Sequence, residues 1–376
     1  MPHQVISYRV PGGPRDANVR SMIDALAAQL AEVKGLPYGG TCDEGTAIPS
    51  NAYVVPSDTL TCEQADGLGI RSSNDFFGGA VRYRFMRTKI ICHHLASTKA
   101  HRPAGWPTKF TELVRPLVLP GYAAFSLSDA IAGGTHLLSL GSVRLKDPLA
   151  AGGIGQIVVS NSHELAAQLS KIPAETMFEY GVALELNLRE ATTINVGRIA
   201  VEGHLMSYWG LQRMTSNNEG LPEYGGSALN CVMGCWDALD QLPMRPEIRR
   251  AVAKAVAFDR VTALWPDFMA SRRNYDVVVG MDDTGRWRSG VLESSWRVGG
   301  ASTAEIAALK RFLADPGVQV VRASAVREFG QAACPPNAVV HFRGEDAAVG
   351  PVLRYTMVTG VVHKTSAAPA GDRIVL

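Results

Sequence analysis

What the sequence lacks narrows its class first. No apolar run approaches the roughly 18 residues that suggest a membrane-spanning helix, so no membrane partner is expected. Met1 to Val10 carries no apolar core of the signal-peptide kind, so a cytoplasmic place is expected. Cysteine is sparse, 6 in 376 residues, and the one close pair, Cys231 and Cys235, has no second pair at zinc-ligand spacing. Reduced thiols are expected, without a disulfide framework. An excess of one charge is lacking too. Lys+Arg number 37 against 35 Asp+Glu, and no basic run is interleaved with aromatics, so no nucleic-acid surface is expected. No Ser/His/Asp or Cys/His arrangement has supporting context. His93 and His94 are adjacent on a predicted helix and point in different directions, which argues against a shared metal.

What is present can bury a core. Hydrophobic residues make up 46% of the chain and charged residues 19%, and the length suits two or three lobes. Gln4 to Val10 reads as a strand, Ala17 to Val33 as an amphipathic helix stopped by Gly35, and Ala52 to Val55 as a second strand. Further helices are predicted over Met86 to Ala96, Ser128 to Leu138, Ser162 to Leu169 with Ser162 as cap, and Pro246 to Leu264. Ser302 to Leu313 is predicted as a helix with Ser302 and Glu305 in a capping box. Strands are predicted at Ser142 to Lys146 and Ile157 to Ser160. Val182 to Leu188, Ile194 to Val201 and Leu205 to Leu211 follow as largely antiparallel strands. The fold class is therefore α+β with a small α/β N-terminal lobe.

Two features carry chemistry. Lys146 ends a strand, and Gly152, Gly153 and Gly155 lead into the next. Such a loop lets backbone N–H groups approach an anion, and the lysine adds fixed positive charge. A plain glycine hairpin explains it equally well. The loop matches neither the Walker pattern nor a dinucleotide fingerprint. The second feature is a hairpin, Tyr275 to Met281 and Trp287 to Ser294, turning at Asp282-Asp283-Thr284-Gly285. A tight turn there puts Asp276 opposite Val291, with Glu293 one diagonal step away on the same face. Two carboxylates on one face between apolar flanks suit Mg²⁺, with Ser295 and Arg297 continuing that face; a solvated hairpin face is the other reading. Gln212 and Tyr224, beside Gly210 and Tyr224-Gly225-Gly226-Ser227, are candidate acceptor contacts, although turn chemistry also explains those glycines.

The order of Lys89, Lys146 with its glycine loop, Glu185 and the acidic hairpin resembles the ATP-grasp superfamily. Leu292-Glu293-Ser294-Ser295-Trp296-Arg297 resembles its closing motif, Glu-x-Asn-x-Arg. The runs Tyr53 to Leu60, Ser271 to Val277 and Gly290 to Ser302 resemble a bacterial family of unknown function often labelled biotin-carboxylase-like. The resemblance implies two α+β subdomains gripping ATP: an N-terminal lobe at 1–84, a small subdomain at 85–181, a large subdomain at 182–315 and a C-terminal extension at 316–376. It implies that Lys89 and Lys146 neutralise phosphates and that Gly152, Gly153 and Gly155 form a lid over them. A solvated helix lysine is the other reading of Lys89. Glu185 to Leu188 would read adenine, and Glu190 would stand in for a ribose acid missing at Thr193 and Asn195. Asp276, Glu293 and Ser295 would hold Mg²⁺, with serine in place of the usual Asn. Arg297 would meet an acyl phosphate or carboxylate, and Arg273, Gly299 and Gly300 would line the substrate side. The implied activity is carboxylate–amine ligation driven by Mg-ATP, with small carboxylate and amine substrates and room for a homodimer. A carboxylase-like variant and a nucleotide-binding regulatory protein without turnover are the alternatives.

Overall fold

Four sheets make up the computed structural model, which describes residues 2–150 and 155–363. The first is parallel and three-stranded, with Gln4–Tyr8 between Tyr38–Cys42 and Ala52–Pro56. The helix Ala17–Lys34 covers it, because Met22, Ile23, Leu26 and Leu30 recur at helical spacing and are all buried. Gly35 ends this helix in the left-handed conformation, φ 63°, which costs glycine least. Two short elements here were not expected: the strand Tyr38–Cys42 and the helix Cys62–Gly67, which Thr61 and Gln64 close with a capping box. A small sheet of Leu60–Thr61, Gly79–Val81 and Met269–Ala270 ties this lobe to the remainder.

A four-stranded antiparallel sheet follows, in the order Gly121–Ala124, Val182–Leu186, Val143–Lys146, Gln156–Val159. Helices Leu127–Leu138 and Ser162–Leu169 pack beside it around Leu137, Leu165 and Leu184. Their caps lie two residues before the expected start at Ser128 and one before the expected cap at Ser162. Ser126 accepts from Asp129 N–H, and Asn161, not Ser162, accepts from Glu164 N–H. Val182–Leu186 belongs to this sheet and does not neighbour Ile194 to Val201 as expected, since Pro120 and Ser142 carbonyls draw the next residues away.

The largest sheet has eight antiparallel strands in the order Trp287–Ser295, Arg272–Met281, Arg189–Val201, His204–Ser216, Pro222–Met233, Val318–Phe329, Gly350–His363, Val339–Asp346. The segment after residue 315, read in sequence as an extension, supplies three of these strands. Helix Pro246–Thr262 packs on the hairpin, and helix Ser302–Ala314 packs on Val318–Phe329. Ser302–Ala314 has no capping box. Glu305 is fully buried and is claimed by Arg272 instead. The run Tyr224 to Ser227 is strand, not turn. Gly226 adopts φ 132° where Ala325 O would lie 2.2 Å from any Cβ, so only glycine lets the two strands approach.

The helix expected over Met86 to Ala96 is absent. Two single 3₁₀ turns, Arg84–Arg87 and Lys89–Cys92, are separated by an extended Thr88 whose hydroxyl accepts from Ile90 N–H. Lys89, Ile90, Ile91 and Cys92 are buried together, so no solvent face exists to support an amphipathic helix. All six cysteines are free thiols. Among the described residues no helix is long and apolar enough to cross a membrane.

Candidate active site

The acidic hairpin is tighter in its pairing than expected. Asp282 N–H donates to Arg286 O (3.0 Å), so the turn takes five residues, and Met281 faces Trp287. The ladder then runs to Val277 opposite Val291, where a bulge shifts the register. Asp276 therefore stands directly opposite Glu293, not diagonal to it. Three amides hold the half-buried Asp276 carboxylate. Asn195 Nδ2 (2.7 Å) and Asn274 Nδ2 (2.9 Å) donate to Oδ1, and Gln212 Nε2 (2.8 Å) donates to Oδ2. Burial and the facing Glu293 nevertheless push its pKa up to about 6. No cationic side chain pairs with Asp276 among the described residues, and Glu293 Oε2 reaches only Lys89 Nζ at 3.5 Å.

This donor set fits a hard cation. Asp276 Oδ2 accepts one hydrogen bond and keeps a lone pair. Glu293 is about a third exposed beside it. Among the described residues no group of three or more His, Cys, Asp and Glu gathers. Two carboxylates with phosphate oxygens completing the shell is a Mg²⁺ arrangement. Ser295, paired in register with Asn274, continues the same face.

The lysines lie opposite in character. Lys146 Nζ sits 2.5 Å from Glu185 Oε1, and His93 Nε2 lies 3.2 Å from Glu185 Oε2. All three side chains are buried. Burial alone would raise the Glu185 carboxyl, but the Lys146 ammonium and the His93 hydrogen bond outweigh it and hold its pKa at about 2. Lys89 Nζ donates to Ala150 O (2.6 Å) while facing Glu293. It is buried rather than a solvated helix lysine, and it links the hairpin to the mouth of the glycine loop. Gly152 and Gly153 lie outside the described residues. Gly155 is described, with φ +69°.

Other expected residues divide. Within Glu185 to Leu188, Leu186 N–H donates to Pro120 O and Asn187 N–H to Ser142 O, while Leu188 joins Leu119, Val278 and Leu292 in an apolar cluster. Glu190 is exposed at an irregularity in its strand, with φ 51°. Gln212 is not free for an acceptor, because it holds Asp276. Tyr224 OH bonds Ser227 Oγ (2.7 Å), which donates to Asn195 Oδ1 (2.8 Å), so it ends a chain leading to Asp276. Gly300 lies against the Tyr224 ring, and Gly299 N–H donates to Ser302 Oγ. Arg297 Nε lies 3.9 Å from Asp58 Oδ1, and Arg87 Nη1 lies 3.2 Å from Asp58 Oδ2. Arg273 is turned away from this face. It pairs with Asp259 (3.0 Å) and lies over Phe268, because an odd position in this strand points opposite to Asp276.

Several contributing residues went unassigned in the sequence. Asn274 was readable, being two residues before Asp276 on one strand face. Arg272 is fully buried, forks onto Glu305, and donates to the carbonyls of Ser295 (3.2 Å) and Arg297 (2.5 Å), which fixes the closing motif. Asp58, Arg87 and His93 carried no local signal, because their partners lie far along the chain.

Solved structures share this architecture. The biotin carboxylase domain dimer of Hydrogenobacter thermophilus 2-oxoglutarate carboxylase, in complex with MgADP, ADP and bicarbonate, matches at TM-score 0.57 and 11% identity over 95% of this chain and 86% of that chain. N5-carboxyaminoimidazole synthetase from Staphylococcus aureus matches at TM-score 0.52 and 11% identity over 94% of this chain and 93% of that chain. Phosphoribosylamine–glycine ligase from Thermotoga maritima matches at TM-score 0.53 and 13% identity over 94% and 92%. At such identities the likeness is one of fold, and the fold is ATP-grasp. Curated proteins gave no match. The family described as "Protein of unknown function (DUF3182)" matches residues 14–356, and the chain belongs to that family.

Proposed function

We propose that this chain is an ATP-dependent ligase that activates a small carboxylate for attack by an amine or another nucleophile. The observation that carries the reading is Asp276 directly facing Glu293 on a half-buried hairpin face, without a cationic partner of its own, across from Lys146 and Lys89. Bound there, Mg²⁺ would neutralise phosphate oxygens and act as a Lewis acid on the transferring phosphoryl group. Asn195, Asn274 and Gln212 would keep the Asp276 carboxylate aimed while charge changes beside it. Lys146 would exchange Glu185 for a phosphate oxygen, and Lys89 would exchange the Ala150 carbonyl. Leu188 and its apolar neighbours would cover the adenine. Arg297, oriented through Arg272 and Asp58, would meet the activated carboxylate with its planar fork.

The N-terminal lobe to about residue 84 would close one side, with 85–181 and the sheet beginning after 181 as the two gripping halves. Ser295 in place of asparagine favours a second reading, a nucleotide-binding protein without turnover. ADP release with pooled amino acids and small carboxylates separates the two. Release that depends on added carboxylate supports the ligase, and nucleotide binding without release under every mixture contradicts it.

A further inference from the structure

The parallel sheet of the N-terminal lobe has a crevice to which the nucleotide reading gives no ligand. Gln4–Tyr8 is its middle strand, and the chain goes to one side for Tyr38–Cys42 and to the other for Ala52–Pro56. Where connections leave a parallel sheet in opposite directions, a gap opens at the carboxyl ends of the strands, and small ligands bind there. Here the gap lies above Tyr8 and Pro56, which are paired in register. Arg9 to Asp16 forms one wall and Ser57 to Thr59 the other. Val10 N–H donates to Ser57 Oγ (2.9 Å), which ties the two walls at their base. A Cβ on Gly13 would lie 3.0 Å from Ser57 Oγ and 3.8 Å from Asp58 Cβ, so the glycine backbone packs against the loop that carries Asp58.

Two guanidiniums converge on Asp58. Arg87 Nη1 lies 3.2 Å from its Oδ2, and Arg297 Nε lies 3.9 Å from its Oδ1. Among the described residues neither arginine pairs with another carboxylate. Two cations against one carboxylate leave one positive charge over. Each guanidinium carries five N–H donors. Only Nη1 of each donates a hydrogen bond to a carbonyl among the described residues, Arg87 to Thr59 O (3.2 Å) and Arg297 to Val298 O (3.0 Å). Side-chain exposure is 15% for Arg87, 19% for Asp58 and 33% for Arg297, so solvent reaches all three. Anchoring the Asp58 loop accounts for Arg87. It does not account for a second guanidinium standing off at 3.9 Å with donors unused.

Position sets the ligand's role. Lys89, two residues after Arg87, faces Glu293, four residues before Arg297. Two residues span at most about 7 Å of backbone, so the arginine pair stands next to the metal-facing carboxylates. We propose that the crevice seats the acid end of the substrate, with Arg87 as a second guanidinium beside Arg297 and Asp58 as the charge that sets specificity. One surplus positive charge is cancelled by one carboxylate. A phosphate dianion or a second carboxylate would bring further negative charge against Asp58, which weakens its binding. The substrate class is therefore a small acid with a single negative charge. Activation of that acid rests on the ligase reading above; its binding does not.

The test titrates wild type with propionate, succinate and inorganic phosphate at constant ionic strength, without nucleotide. Melting temperature and the guanidinium Nε–H resonances of Arg87 and Arg297 are followed. Propionate should raise the melting temperature and shift both resonances at lower concentration than succinate or phosphate does. Arg87→Gln should weaken propionate binding by roughly tenfold, the loss of a charge-assisted hydrogen bond. Asp58→Asn keeps an acceptor for Thr59 N–H (2.7 Å). It should reverse the ranking in favour of succinate, because two positive charges then stand unopposed. Should one variant fail to fold, the other and the wild-type ranking decide. Tighter binding of succinate or phosphate than of propionate by wild type would overturn the proposal. So would propionate binding that neither variant alters, or no binding at all. Propionate binding as expected, with no carboxylate able to drive ADP release, would overturn the ligase reading alone. Carboxylate-dependent ADP release with an unchanged KM for the carboxylate in both variants would overturn the crevice alone.

Discussion

The hairpin and the small four-stranded sheet solve the problem of buried charge differently. On the hairpin, Asp276 is held by three neutral amides and faces a second carboxylate, so negative charge is left over. On the small sheet, Lys146 is matched by Glu185, and Glu185 is held again by His93, so positive charge is already cancelled. The hairpin half is preorganised for a cation. The lysine half must release one partner before it can take another. In the proposed reading, a phosphate chain bound with Mg²⁺ would satisfy both halves at once, which neither Mg²⁺ nor phosphate alone would do.

The comparison can be broken from the hairpin side first. Glu293→Gln keeps the shape and removes the charge, so ATP-linked turnover should fall by roughly a thousandfold, the size of several kcal/mol of phosphoryl charge stabilisation. The ligand-free melting temperature should change little, since relief of the repulsion with Asp276 offsets the loss of the Lys89 ion pair, and the stabilisation added by Mg²⁺ to ATP should vanish. Turnover within a small factor of wild type would make the acidic face structural.

On the lysine side the sign reverses. Glu185→Gln strands a buried ammonium, and the ligand-free protein should lose about 3 kcal/mol in denaturant unfolding. MgATP should recover more stability in this variant than in wild type, because Lys146 no longer has to leave a partner. Equal destabilisation with and without nucleotide would show that Lys146 never changes partner.

Arg273 offers a smaller contrast within one strand. Facing Asp259, away from the site, it should matter for stability only. Arg273→Met should cost roughly 1–3 kcal/mol, as the buried Asp259 carboxylate keeps Trp236 and Tyr275 but loses its counter-charge, and kcat of the folded variant should hold. A selective rise in KM would return it to the substrate side.

Acid gives the mildest test. The folded Glu185 pKa is depressed to about 2, so its contribution is fully present above the ordinary glutamate pKa. It is lost as pH falls through the folded value. Wild type should thus lose stability between about pH 4.5 and 2 more steeply than Glu185→Gln does. Parallel acid limbs would mean that Glu185 is not held in its charged form.

How much of this was legible follows from where each partner lies. The hairpin was readable because its signal is local, and its side-chain alternation survived both a longer turn and a bulge. The two changes together brought Asp276 opposite Glu293 without moving either to the other face. Arg273 failed for the same rule applied too loosely, since likeness of a run does not say which side each residue faces. Lys89 was placed in a helix because an apolar stretch with one lysine looks amphipathic; in the fold the whole turn is interior. Ser302 and Glu305 have capping-box spacing, but Arg272, 33 residues earlier, outcompetes the backbone for Glu305. The strand Val318–Phe329, through which the last two strands join the sheet, was unreadable because its partner, Pro222–Met233, lies about a hundred residues away, and strand propensity depends on such neighbours.

The central claim is that leftover acid on one side and cancelled base on the other make nucleotide and metal bind as one unit. Calorimetric titration of ATP into the protein, with and without Mg²⁺, tests it most directly. Mg²⁺ should strengthen ATP binding by roughly an order of magnitude or more in wild type and not in Glu293→Gln. Equal ATP affinity with and without Mg²⁺ in wild type would contradict it.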